Sequence, residues 1–146
     1  MSQSGDPVRE ALARYSAAAH DKNVDAFVSL YADDVHVFDM WNSWELRGID
    51  AWRKMAAGWF SSLGDERVVV TARDVTSNHS GDLALGHATL TYTAVSADGK
   101  ELRSLDNRIT IALRRVASAW KIFHEHTSGP IDHKTMSGVI KRGDSR

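Results

Sequence analysis

Apolar positions in the first third of the chain recur at helical spacing. Val8, Leu12, Tyr15 and Ala19 fall four, three and four residues apart, which is one face of a helix. Asp6 is a good N-cap for it, and Pro7 suits the first helical position. Asn23 is placed to cap a second helix carrying Val24, Phe27, Leu30 and Tyr31, with Asp33-Asp34 at its end. Val35 to Asp39 is a short β-type run, and Asn42 to Gly48 reads as a loop. A third helix is expected from about Ile49. Its stripe is Ile49, Trp52, Ala56, Trp59, Phe60 and Leu63, and Gly64-Asp65 closes it.

The second half changes to the period of strands. Arg67 to Thr76 is rich in Val and Thr, Asn78 to Asp82 reads as a turn, and Leu83 to Val95 alternates. Ala97 to Lys100 is another turn. Leu102 to Arg115 and Ala119 to Ser128 are two further strands, joined by Val116-Ala117-Ser118, a turn without Gly or Pro. On the first of these, Ile109, Ile111 and Leu113 share one parity, and Asp106, Arg108 and Thr110 the other. On the last, Trp120, Ile122, His124, His126 and Ser128 share one face, grading from apolar to polar. Helices followed by meandering strands make an α+β pattern. The expectation is a cone-shaped, curved antiparallel sheet wrapped around three N-terminal helices, with an internal pocket open at the wide end. It is a single domain over residues 1–146, with a core at about 8–130 and a loose tail at 131–146.

Composition narrows the function. The chain has 18 basic and 19 acidic residues among 146, so neither sign points to nucleic acid or an anionic membrane. Arg114-Arg115 sits near a turn, and Lys141-Arg142 with Arg146 reads as a solvated tail. No cysteine is present, which removes thiolate chemistry and disulfides and is compatible with a cytoplasmic location. The N-terminus lacks the pattern of a signal peptide, and no stretch is long enough to span a membrane. No nucleophile elbow, phosphate-binding loop or dinucleotide fingerprint occurs, so no cofactor is expected.

Arg14-Tyr15 together with Ala32-Asp33-Asp34-Val35-His36-Val37-Phe38-Asp39 resembles the opening of ketosteroid isomerases. The segment Trp120 to Pro130 resembles SnoaL-type proteins and also the association domain of calmodulin-dependent kinases, in which Arg108 too has a counterpart. With Gly48 and the third helix, the resemblance covers roughly residues 8 to 130. It implies the nuclear transport factor 2-like superfamily. It also implies that Asp39 and Tyr15 are a pocket pair. The Asp would move a proton beside a carbonyl, and the Tyr would support the developing enolate. Asp39 as a plain loop cap and Tyr15 as plain core are the competing readings, and no oxyanion role is carried onto Asp106.

The remaining candidates come from placement. A tight hairpin about Ala117 brings Arg108 near His126 at the wide end, where Arg favours an anionic or carbonyl-bearing ligand; an Arg bridged to Asp106 or Glu125 is the alternative. His124 and His126 form an H-x-H pair that can chelate zinc, yet the other histidines supply no third ligand, so hydrogen-bonded pocket histidines are expected and no metal. Trp59 belongs to the third-helix stripe. Trp41 and Trp44 lie near Asp39 as a lip over an apolar ligand or as a subunit contact. The leading reading is a small-molecule pocket protein, an acid–base isomerase, cyclase or dehydratase acting on an apolar, carbonyl-bearing compound. A non-catalytic ligand-binding or oligomerisation module is the alternative. Two structural expectations accompany it. Trp120 and Ile122 seal the narrow end. Ile109, Ile111, Leu113 and Phe123 form an outer apolar patch that makes a homodimer or higher oligomer.

Overall fold

The computed structural model describes residues 5–143. Arg146, expected in a solvated tail, lies outside the described residues. The helices are α1 (Pro7–Asp21), α2 (Val24–Val28) and α3 (Ile49–Ser62). The strands are β1 (Tyr31–Phe38), β2 (Leu46–Arg47), β3 (Arg67–Ser80), β4 (Leu83–Val95), β5 (Glu101–Val116), β6 (Ala119–Ser128), β7 (Ile131–Asp132) and β8 (Ser137–Gly138). The first six strands form one curved sheet in the order β2-β1-β6-β5-β4-β3, not closed into a barrel, with the helices against its inner face. The sheet is mixed: β1 runs parallel to β6, and the other neighbours are antiparallel.

The caps act as expected. Asp6 accepts a hydrogen bond from the backbone N–H of Arg9 at 3.0 Å, and Asn23 accepts from that of Ala26 at 3.0 Å. The inner faces of α1, α2 and α3 meet at Phe27, which is fully buried and touches five other aromatic rings. Gly86 of β4 allows α1 to approach. A Cβ there would lie 2.4 Å from a methyl of Val8 and 2.8 Å from the carbonyl oxygen of Thr76.

Four local expectations change. Asp33-Asp34 do not end a helix. α2 stops at Val28, and Tyr31 pairs with Ile122, so sheet pairing overrides the helical spacing of Leu30 and Tyr31. The turn after β3 is only Gly81-Asp82, because Asn78, His79 and Ser80 pair with β4. The loop from Asn42 to Gly48 contains β2, which pairs with His36 and Val37. Residues 131–143 are tied down as well. They carry the β7–β8 hairpin, the N–H of Asp106 donates to the carbonyl of Ile140, and Asp106 Oδ2 accepts from the N–H of Arg142.

The largest change concerns parity. β6 carries a bulge at Phe123: Leu113 pairs with Ile122, but Ala112 pairs with His124. One extra residue swaps the faces beyond it. Glu125 pairs with Ile111 and Thr127 with Ile109. Cross-strand partners share a face, so Glu125 and Thr127 point inward while His124, His126 and Ser128 point outward. Ile109, Ile111 and Leu113 are each 1% exposed beneath the helices. They are core, and the outer apolar patch inferred for an oligomer is not there. Ile122 is buried as expected, whereas Trp120 is half-buried at the rim between the His79 ring and the Arg115 guanidinium.

The β5–β6 turn carries strain that can be relieved. Ala117 and Ser118 hold φ of 51° and 71°, a two-residue turn with both residues left-handed. Left-handed backbone costs a non-glycine residue about 1–2 kcal/mol. Replacing the pair by Asn-Gly is expected to raise stability by about 1 kcal/mol or more in denaturant unfolding.

Candidate functional site

Between the helices and the inner face of the sheet lies a cavity of about 670 Å³. Its walls are largely apolar, including Trp41, Trp52, Met55, Trp59, Leu63, Val68, Leu105 and Ile140. A few polar groups converge on it, which is how small-molecule sites are usually built. α1 supplies Tyr15, β4 Tyr92, β5 Asn107, β6 Glu125 and Thr127, and the end of β1 leads into Asp39.

The two phenols face each other at 2.8 Å between hydroxyl oxygens. Burial pushes both well above the ordinary phenol value, so both stay protonated. Only one hydroxyl hydrogen is used between them, which leaves a donor for a third oxygen.

Asp39 is held by Thr127, whose hydroxyl donates to Asp39 Oδ1 at 3.0 Å and accepts from the N–H of Met40 at 2.9 Å. Partial burial raises the Asp39 pKa above its ordinary value; the hydrogen bonds from Thr127 and Met40 counter it. Glu125 is 1% exposed. Its Oε1 accepts from the Tyr31 hydroxyl at 2.6 Å. Burial raises its pKa to about 8; the Tyr31 hydrogen bond lowers it, and the negative charge of Asp39 adds to the rise. Glu125 and Thr127 are two residues apart on the inner face, so Thr127, which holds the Asp39 carboxylate, is the same-face neighbour of Glu125. Burial thus favours the neutral form of both carboxyl groups, and of Glu125 the more strongly. Such a difference between two titratable groups marks acid–base sites.

The structure divides the residues expected from sequence. Tyr15, Asp39, Trp41 and Trp59 line this cavity together. Arg108, His124 and His126 do not. The bulge at Phe123 and the parity of β5 put them on the outer face of the sheet. Arg108 donates from Nε to Ser128 Oγ at 3.2 Å, and with His126 it lines a separate concavity of about 550 Å³ beside His87 and Arg142. His124 donates from Nδ1 to the carbonyl of His36 at 2.7 Å. Trp44 is 94% exposed and lines neither. Asp106 also faces outward, bonded to Thr91 and the backbone of Arg142. Among the described residues no His, Asp and Glu cluster could hold a metal ion.

Sequence reading missed Glu125, Thr127, Tyr31, Tyr92 and Asn107. The signal was present in β5. If Ile109, Ile111 and Leu113 are assigned inward as apolar residues normally are, their partners across the hairpin must face inward too.

The sequence pattern described as the SnoaL-like domain matches residues 8–132. No curated protein matches. Among solved structures, a nuclear transport factor 2-like protein of unknown function from Pseudomonas putida is similar, with TM-score 0.81, 25% identity and 93% of each chain covered. Two further structures share the fold at lower identity. One is a Streptomyces avermitilis protein of the same family provisionally named a dehydratase (TM-score 0.71, 19% identity, 86% of this chain and 95% of that one). The other is a Xanthomonas campestris protein provisionally named a calmodulin-dependent kinase association domain (TM-score 0.66, 19% identity, 83% and 84%).

Proposed function

This chain belongs to the SnoaL-like domain family, and within it we propose an acid–base enzyme that removes a proton beside the carbonyl of a small, largely apolar compound. Isomerisation, cyclisation and dehydration all begin with that step. One observation carries the reading: the largely apolar cavity is lined by two carboxyl groups, Asp39 held by Thr127 and Glu125 held by Tyr31.

The roles follow from chemistry. Asp39 takes the proton from carbon, and its raised pKa makes it a stronger base than a solvated aspartate. Negative charge then develops on the carbonyl oxygen. The free O–H of the Tyr15–Tyr92 pair and the proton on Glu125 are donors for it. Glu125 thus offers a second oxyanion donor, a role the outward-facing Asp106 is not placed to fill. The apolar walls keep water from competing for these donors.

The test is deuterium exchange next to the carbonyl of β-tetralone, indanone and decalone in heavy water. The protein is expected to accelerate exchange of at least one ketone far above buffer. No acceleration for any of them would overturn the proposal.

A further inference from the structure

Among the described residues, Asn107 Oδ1 is a buried side-chain polar atom without a hydrogen-bond partner, whereas the indole N–H of Trp52 has the Tyr31 hydroxyl within reach. Both residues line the inner cavity of about 670 Å³. Buried polar atoms are nearly always paired, because leaving one unpaired costs about 1–3 kcal/mol. An unpaired acceptor on the cavity wall points to a ligand that donates to it.

Asn107 is the more informative of the two. It is 6% exposed, and its Nδ2 donates to the sulfur of Met40 at 3.5 Å. A thioether accepts and cannot donate, so the amide nitrogen faces Met40 and the oxygen is left over. Asn107 pairs with Leu90 on β4, which places it diagonally beside Tyr92. On its other side, Ile109 pairs with Thr127, the residue that holds Asp39. The Asn107 amide therefore sits between the base and the phenol pair, where its nitrogen also has the Tyr92 hydroxyl within reach. Trp52 stands edge-on to Tyr31, the partner of Glu125, with ring centroids 5.5 Å apart. Its N–H is directed at the Tyr31 hydroxyl, so Asn107 alone carries the pattern.

We infer that Asn107 is a specificity-determining residue that accepts a hydrogen bond from a substrate hydroxyl, and that the substrate class is a hydroxylated carbonyl compound. The carbonyl half of that statement rests on the function proposed above; the hydroxyl half rests on Asn107. A plain ketone offers Asn107 no hydrogen and leaves its oxygen unpaired.

The experiment is calorimetric binding of β-tetralone and the set of its monohydroxylated analogues. At least one hydroxylated isomer is expected to bind about tenfold more tightly than β-tetralone, the worth of one neutral hydrogen bond. In Asn107→Leu, similar in volume, that preference falls to within about twofold; Asn107→Ala gives the same reading if the leucine variant does not fold. Equal binding of all isomers by the wild-type protein overturns the inference without any variant. So does a preference that survives in Asn107→Leu. Exchange of unsubstituted β-tetralone by wild type reads the catalytic proposal separately. Its absence there and with indanone and decalone removes that proposal and leaves the hydroxyl preference standing, and the reverse outcome separates them equally well.

Discussion

Asp39→Asn is expected to slow exchange of a bound ketone by about a hundredfold to ten-thousandfold, the range for removing a positioned general base. The substitution keeps size and shape. The amide can still accept from the Thr127 hydroxyl, so the loop after β1 stays in place. Ketone affinity should change little, because the apolar walls supply most of it, and the loss should fall on turnover. Asparagine also removes the charge that helps raise Glu125, so the Glu125 pKa should move down. Exchange within a factor of a few of wild type would remove Asp39 as the base.

Phe27→Ala is expected to cost about 3–5 kcal/mol in denaturant unfolding, the range for truncating a buried large aromatic. Phe27 is fully buried, and its ring centroid lies 5.1 Å from Tyr15, 5.5 Å from Tyr31 and 5.6 Å from Phe60, with Trp52 and Trp59 each at 6.0 Å. It joins α1, α2 and α3 and backs two of the groups that shape the cavity, Tyr15 and Tyr31. A loss below about 1 kcal/mol would show that the helices do not depend on this contact.

How much of this was legible in the sequence depended on the range of the interaction. Asp6, Pro7 and Asn23 act on their own helices, and their capping roles follow from local chemistry. β4 and β6 have the spans that alternation gives. Tyr31 defeated local reading because its partner, Ile122, lies across the sheet. The site was half legible for the same kind of reason. Tyr15 and Asp39, singled out by the resemblance, both line the cavity. Glu125 and Thr127 were hidden because a bulge at Phe123 shifts parity by one, and nothing in Ile122-Phe123-His124 marks a bulge by residue type. His124 and His126, chemically conspicuous, drew attention to the wrong face. The apolar parity of β5 was the stronger physical constraint.

The proposed chemistry requires a neutral Glu125 on the same cavity as a charged Asp39. That neutral Glu125 has a consequence for the whole fold. The Glu125 pKa is about 8 in the folded protein against an ordinary 4.5. The folded state then holds a proton that the unfolded state gives up. That contribution is fully present below about pH 4.5 and is lost as pH rises through about 8. Carbon NMR titration of protein labelled at the glutamate carboxyls tests the claim at its source, with Glu125→Gln assigning the signal. One resonance, absent from Glu125→Gln, should titrate with a midpoint near 8. If the resonance lost in that variant titrates near 4.5 like an ordinary glutamate, Glu125 is charged at neutral pH and the account of the site is wrong.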